Sequence, residues 1–157
     1  MEKEFVVRIL VATLLGALIG LDREYRTKAA GFRTHCMVAL GSALFMIVSA
    51  YGFKDVMAAG PLENIRLDVS RIAAQVVTGI GFIGAGAIII QKKMVRGLTT
   101  AAGLWVTSAI GLACGAGMYL LAAVTALLVL LCYEGFNMFL HKIRGKGDEE
   151  EMHKDEE

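Results

Sequence analysis

The side chains able to do chemistry gather in three short stretches. The densest is Asp22-Arg23-Glu24-Tyr25-Arg26, followed closely by Arg33 and His35. Its carboxylates could serve as oxygen ligands, and a Mg2+ ion that keeps most of its waters needs only one or two of them. His35 is the side chain whose charge changes near neutral pH. A second stretch holds Asp68, Arg71, Gln75 and Thr78, spaced three, four and three residues apart and therefore on one face of a helix. The third is Arg96 with Thr99. Each has a plainer reading: a salt-bridge or snorkelling belt for the first, an interfacial hydrogen bond for His35, and a helix cap with an ion pair for Asp68 and Arg71. The polar stripe that continues inward from Asp68 to Gln75 and Thr78 favours a functional role there.

Catalysis finds little support. No HExxH, no GxSxG and no serine–histidine pair is present, so a non-enzymatic protein is expected. Gly79-Ile-Gly81-Phe-Ile-Gly84 matches a dinucleotide fingerprint formally, but no acidic residue follows about 20 residues later and no βαβ unit surrounds it. Cys36, Cys114 and Cys132 match no metal spacing and read as small packing residues. No cofactor is evident; Mg2+ enters only as a candidate ligand or signal, and the identity of any metal site is open.

The elements that must position these groups follow from where charge is absent. The chain of 157 residues is 56% hydrophobic, and its formal charge of +1 gives no sign of a nucleic-acid partner. Residues 5–21, 34–53, 72–90, 98–115 and 118–140 form five apolar runs in which only Arg8 and Glu134 are charged. A hydrocarbon layer of about 30 Å needs roughly 20 helical residues, and all five runs suit it. Transmembrane strands would alternate apolar and polar residues, which these runs do not. The expectation is an all-α integral membrane protein with five transmembrane helices in residues 1–140. Residues 141–157, basic and then acidic, should form a disordered tail.

Lysine and arginine set the orientation. Arg23, Arg26, Lys28, Arg33, Lys92, Lys93, Arg96 and the tail's Lys142, Arg144, Lys146 and Lys154 fall on one side. They outnumber Lys3, Arg8, Lys54, Arg66 and Arg71 on the other. The positive-inside rule then places the N-terminus outside and the C-terminus in the cytoplasm. Ala59-Gly60-Pro61 breaks the long outer connection, and Gly115-Ala116-Gly117 allows a tight reversal before the last run. Glycines at helix-packing spacing, Gly16 with Gly20, Gly111 with Gly115, and Gly79, Gly81, Gly84 and Gly86, predict close helix contacts within one chain or between two. A homo-oligomer is expected, with a dimer favoured on symmetry grounds.

Three segments carry a resemblance: Gly20 to His35 (GLDREYRTKAAGFRTH), Asp68 to Gly86 (DVSRIAAQVVTGIGFIGAG) and Val95 to Thr107 (VRGLTTAAGLWVT). Together they resemble the MgtC/SapB family, over a stretch from about the first apolar run to the fifth. The resemblance implies a multi-pass protein of the bacterial inner membrane, linked to growth under magnesium limitation and to stress or virulence adaptation. For some members it implies restraint of the membrane-embedded ATP synthase as a partner. Larger members carry a C-terminal cytoplasmic domain; here a short form ending in the charged tail is expected. The functional expectation is a regulator acting through membrane-protein contacts, with an oligomeric transporter or channel for Mg2+ or another cation as the alternative.

Overall fold

The computed structural model describes residues 2–53, 68, 70–92 and 94–134. Among them lie five helices and one short hairpin: α1 (Glu2–Tyr25), α2 (Phe32–Tyr51), α3 (Ser70–Gly86), β1 (Ile89–Gln91), β2 (Met94–Arg96), α4 (Leu98–Gly115) and α5 (Tyr119–Glu134). Three of them, α1, α2 and α4, are long and apolar enough to cross a membrane. The connection through Ala59-Gly60-Pro61 and the tail 141–157 lie outside the described residues, as does the last part of the fifth apolar run.

What makes this a membrane protein in physical terms is the inversion of its polarity. Large apolar side chains point outward, with Leu10 62%, Leu120 80% and Phe82 85% exposed. The buried set is small or polar: Ala12, Ala39, Ala43, Ser42, Ser108, Thr107 and His35. A water-soluble domain hides the first class and displays the second; lipid reverses the preference, because it offers no hydrophobic drive between helices and leaves packing and internal hydrogen bonds to hold them. Ser42 and Ser108 supply one such bond, their hydroxyls 3.0 Å apart between α2 and α4.

Glycine sets how closely the helices approach. A Cβ on Gly16 would stand 2.7 Å from Ala39 Cβ and 2.7 Å from His35 O, and one on Gly20 would stand 2.7 Å from Phe32 Cα. From the other flank, a Cβ on Gly115 would stand 2.5 Å from Ala43 O, and one on Gly111 would overlap the Ala39 carbonyl. Thus α1 and α4 both press their backbones onto α2, within one chain. The core of Ala12, Ile19, Ala43, Ile110, Cys114, Ala122 and Ala126 fills the seam and draws in α5. α3 rests on α2 and α4 and buries only Ile80 and Gly84. A Cβ on Gly84 would make ordinary contact with Ala101 Cβ at 3.6 Å, while one on Gly79, Gly81 or Gly86 would meet nothing within 4 Å.

The turns have local causes. After α4, Gly117 adopts φ 84, its N–H bonds Cys114 O at 2.9 Å, and the Met118 N–H bonds Ala113 O at 2.8 Å. This is a glycine-terminated reversal that satisfies the last carbonyls of the helix, and it lies where Gly115-Ala116-Gly117 is expected to turn. The apolar run 72–90 departs from expectation: its helix stops at Gly86, and Ile89 and Ile90 enter an antiparallel pair in which Ile90 faces Val95. Hydropathy alone cannot separate a helix from a β-branched strand end. The stop is fixed by Gly97, whose φ of 89 brings it against the Ala87 carbonyl, where a Cβ would overlap the oxygen.

Candidate functional site

The end of α1, the start of α2, the start of α4 and the end of α5 meet at what we call the basic end. Arg26 bridges Asp22 Oδ1 at 2.8 Å and Glu134 Oε1 at 2.9 Å. The Asp22 hydrogen bond is the main cause that raises the Arg26 pKa above its ordinary value. Glu24 reaches across the loop, where its Oε2 accepts the Phe32 N–H at 2.7 Å and closes the start of α2. The chain can fold back so tightly because Gly31 has no side chain; a Cβ there would stand 2.7 Å from that same Oε2.

Behind this surface layer lie two buried groups. His35 is fully buried, and its Nδ1 sits 2.9 Å from Gly31 O. A carbonyl accepts only, so Nδ1 carries a proton, while Nε2 is buried without a partner among the described residues. Gly103 leaves room for the Tyr133 hydroxyl nearby: a Cβ on Gly103 would overlap that oxygen and stand 3.7 Å from His35 Nε2. Arg23 is 4% exposed and lays its guanidinium over the Tyr133 ring, 4.2 Å from the centroid. Its Nε is buried without a partner, and it takes part in none of the ion pairs among the described residues.

A cleft of about 660 Å³ opens over this pair, lined by Arg23, Arg26, Lys28, Thr99, Thr100 and Tyr133 together with Gly97 and its neighbours. Among the described residues no carboxylate lines it. Of the candidates named from the sequence, Arg23 and Thr99 line the cleft, His35 is buried behind it, and Asp22 and Glu24 hold Arg26 and the Phe32 N–H beside it. Arg33 and Arg96 are exposed and do not line the cleft. Sequence reasoning passed over Tyr133, Lys28 and Thr100. A tyrosine beside the lone charge of the last apolar run was the available signal for the first.

The opposite end is built differently. Arg8 is 7% exposed; its Nη1 donates to Gly115 O at 2.8 Å and to the Tyr51 hydroxyl at 3.2 Å, and its Nη2 pairs with Glu4. Phe5 and Tyr51 flank it, their centroids 5.8 Å and 5.3 Å from its carbon. Asp68 does not reach Arg8. Its Oδ1 accepts from the Ser70 N–H at 3.0 Å and hydroxyl at 2.7 Å, and its Oδ2 lies 3.7 Å from Arg71 Nε. Those Ser70 hydrogen bonds hold the Asp68 carboxyl below the ordinary aspartate value. Arg71, Gln75 and Thr78 are exposed; Thr78 bonds back to Ala74 O, and Gln75 lines the cleft between α2 and α3 that Ser42 and Ser108 also line.

A magnesium ion does not fit these carboxylates well. Asp22 is held by Arg26 and adjoins Arg23, Glu24 caps α2, and Asp68 stands far along the chain at the start of α3. Among the described residues no three His, Cys, Asp or Glu side chains converge, so an ion here would rest on one or two carboxylates that already have partners.

Fold and site together define a small helical membrane protein, apolar outside and polar within, with an arginine-floored cleft at one end. The chain belongs to the MgtC family, whose model matches residues 9–142. It is 49% identical over 146 residues to "Putative magnesium transporter YhiD" of Escherichia coli (strain K12), covering 93% of this chain and 66% of that one. It is 42% identical over 128 residues to "Protein MgtC" of Salmonella typhimurium (strain LT2), covering 82% of this chain and 50% of that one. An uncharacterized protein of Synechocystis, slr0014, is 40% identical over 128 residues. The chain thus spans between half and two thirds of the length of these relatives. No solved structure matches it.

Proposed function

We propose that this protein is a non-enzymatic regulator in the bacterial inner membrane, linked to magnesium limitation and to stress or virulence adaptation, which acts by packing against another membrane protein. In this reading all five apolar runs cross the bilayer, the N-terminus is outside, and the basic end faces the cytoplasm. The observation that carries it is the free face of α3. A Cβ on Gly79 or Gly86, two turns apart on one side of the helix, would meet nothing within 4 Å, and Gly79 lines an apolar cleft of about 670 Å³ between α2 and α3 with Met37, Phe45, Ile72 and Phe82. Small residues beside an apolar groove are what a second helix needs for close approach in lipid. A second copy of the chain is the first candidate occupant, as a homodimer; the membrane sector of ATP synthase is the second.

A photoreactive residue placed at Phe82 in the full chain, irradiated in native membranes, tests this. We expect one discrete adduct, whose mass assigns it to a dimer or to another membrane protein. We also expect Gly79→Leu to fold normally yet lose support of growth in low magnesium. No adduct, together with normal growth of Gly79→Leu, overturns the reading. The alternative, an oligomeric transporter of Mg2+ or another cation, draws on the printed name of the Escherichia coli relative; magnesium flux in reconstituted liposomes would establish it instead.

A further inference from the structure

We propose that the cleft at the basic end binds a phosphate group, held between Arg23, Lys28 and the first turn of α4. The inference concerns a different face from the α3 groove and stands whether or not that groove docks a partner.

Two independent observations point to the ligand. The first is the state of Arg23. Carrying a charge into a site with 4% exposure is costly without an acceptor, yet its Nε has none among the described residues and its guanidinium has only the face of Tyr133. No neighbouring carboxylate pairs with it: Asp22 gives Oδ1 to Arg26 and keeps a buried Oδ2 without a hydrogen bond, Glu134 also pairs with Arg26, and Glu24 accepts the Phe32 N–H. Arg23 lines the cleft, so the missing counter-charge has a route in.

The second is the start of α4. Gly97, in the left-handed region with φ 89, introduces the helix without any side-chain cap, and the first N–H to find a helical acceptor is that of Ala101, on Gly97 O. The N–H groups of the preceding turn have no partner inside a helix and carry the positive end of its dipole. Gly97, Leu98, Thr99 and Thr100 all line the same cleft as Arg23 and Lys28. Uncapped helix N–H groups beside cations form an anion site, and the donors are too many for one carboxylate but suit the several oxygens of a phosphate. That group could belong to a lipid headgroup or to free phosphate.

The test uses the full chain purified in detergent and in nanodiscs. Thermal stability is followed against inorganic phosphate, with chloride at matched ionic strength as reference. It is then compared in discs of phosphatidylcholine alone and discs containing phosphatidylglycerol. Wild type should be stabilised by phosphate, by phosphatidylglycerol, or by both; response to one alone identifies the source. Arg23→Gln should abolish the response, and Lys28→Gln should weaken the apparent affinity about tenfold, the loss of one charge-assisted contact. Arg71→Gln, at an exposed arginine of the other end, should respond as wild type. If Arg23→Gln does not fold, Lys28→Gln and Thr99→Val at the exposed rim carry the comparison. A wild type indifferent to both probes, or rim and floor variants that respond as it does, overturns the proposal.

Discussion

α1 carries a buried arginine near each of its ends, and the molecule treats them in opposite ways. Around Arg8 both Nη groups are supplied from within, by the Gly115 carbonyl, the Tyr51 hydroxyl and the Glu4 carboxylate, and two aromatic rings flank it; its Nε, like that of Arg23, is buried without a partner among the described residues. Arg23 receives one ring and an open cleft. Because both are attached to the same helix and sit at similar burial, the difference lies in their partners rather than in depth. A cation whose Nη groups are engaged and whose charge is paired acts as a clamp between helices; a cation with neither marks where something from outside is received. The lesson reaches beyond these two residues: in an inverted membrane fold, burial of a charge says little until its partners are counted.

The sharpest way to break this comparison is to remove the frame that holds both arginines. Gly111→Leu would drive a side chain into the Ala39 carbonyl of α2, with backbone rather than a flexible side chain in the way. We expect destabilisation of more than about 4 kcal/mol, enough to prevent recovery of folded protein. Gly81→Leu meets open space and should leave detergent stability unchanged. Equal melting of the two variants would show that α2 and α4 are not pressed together at glycine.

A smaller effect sharpens the comparison directly. Arg8→Met strands the Gly115 carbonyl, the Glu4 carboxylate and the Tyr51 hydroxyl at once, and should cost about 2–4 kcal/mol. Arg23→Met loses a stacked ring worth about 1 kcal/mol but also relieves an uncompensated charge, so its net change should stay within about 1 kcal/mol. Both are measured by thermal or denaturant unfolding of the detergent-purified chain without added phosphate. A larger loss for Arg23→Met than for Arg8→Met would reverse the assignment of clamp and receptor.

Much of the frame was legible because lipid imposes a coarse rule: apolar length and charge position are one-dimensional quantities. The glycine spacings of α1 and α4 are of the same kind, since a helix converts four residues into one face. The pairing of Arg8 with Glu4 was also within reach, one turn apart on one helix. What could not be read is whatever depends on two distant segments at once. Tyr133 beneath Arg23 and Ser42 against Ser108 are set by how four helices converge. The early end of α3 depends on Gly97 meeting Ala87, while the local sequence Ala-Ile-Ile-Ile could equally have continued as helix. Asp68 illustrates a different limit. Its spacing to Arg71, Gln75 and Thr78 is a true helical face, yet helical periodicity does not say whether that face looks inward, and here it is exposed.

Asp68 also supplies the smallest prediction. Its carboxyl is held below the ordinary value of 3.8, first by the Ser70 hydroxyl, then by the Ser70 N–H, with Arg71 adding a weaker attraction. A carboxyl whose folded pKa is depressed stabilises the folded state at pH above its unfolded value, and that contribution fades as pH falls through the folded pKa. The protein should therefore lose a small increment of stability below about pH 4 that Asp68→Asn, which keeps a capping acceptor but cannot titrate there, does not lose. Because the carboxyl is exposed, solvent screens it and the increment should be minor beside the loss in Arg8→Met. Asp68→Ala, which deletes the cap at every pH, should be less stable than Asp68→Asn at neutral pH. Unfolding of the three proteins at pH 3.5 and pH 7 decides between a local cap and a deeper role. Parallel pH dependence in wild type and Asp68→Asn would remove Asp68 from the account. A loss at Asp68→Asn as large as that of Arg8→Met would show that this end, too, holds a charge on which the whole bundle depends.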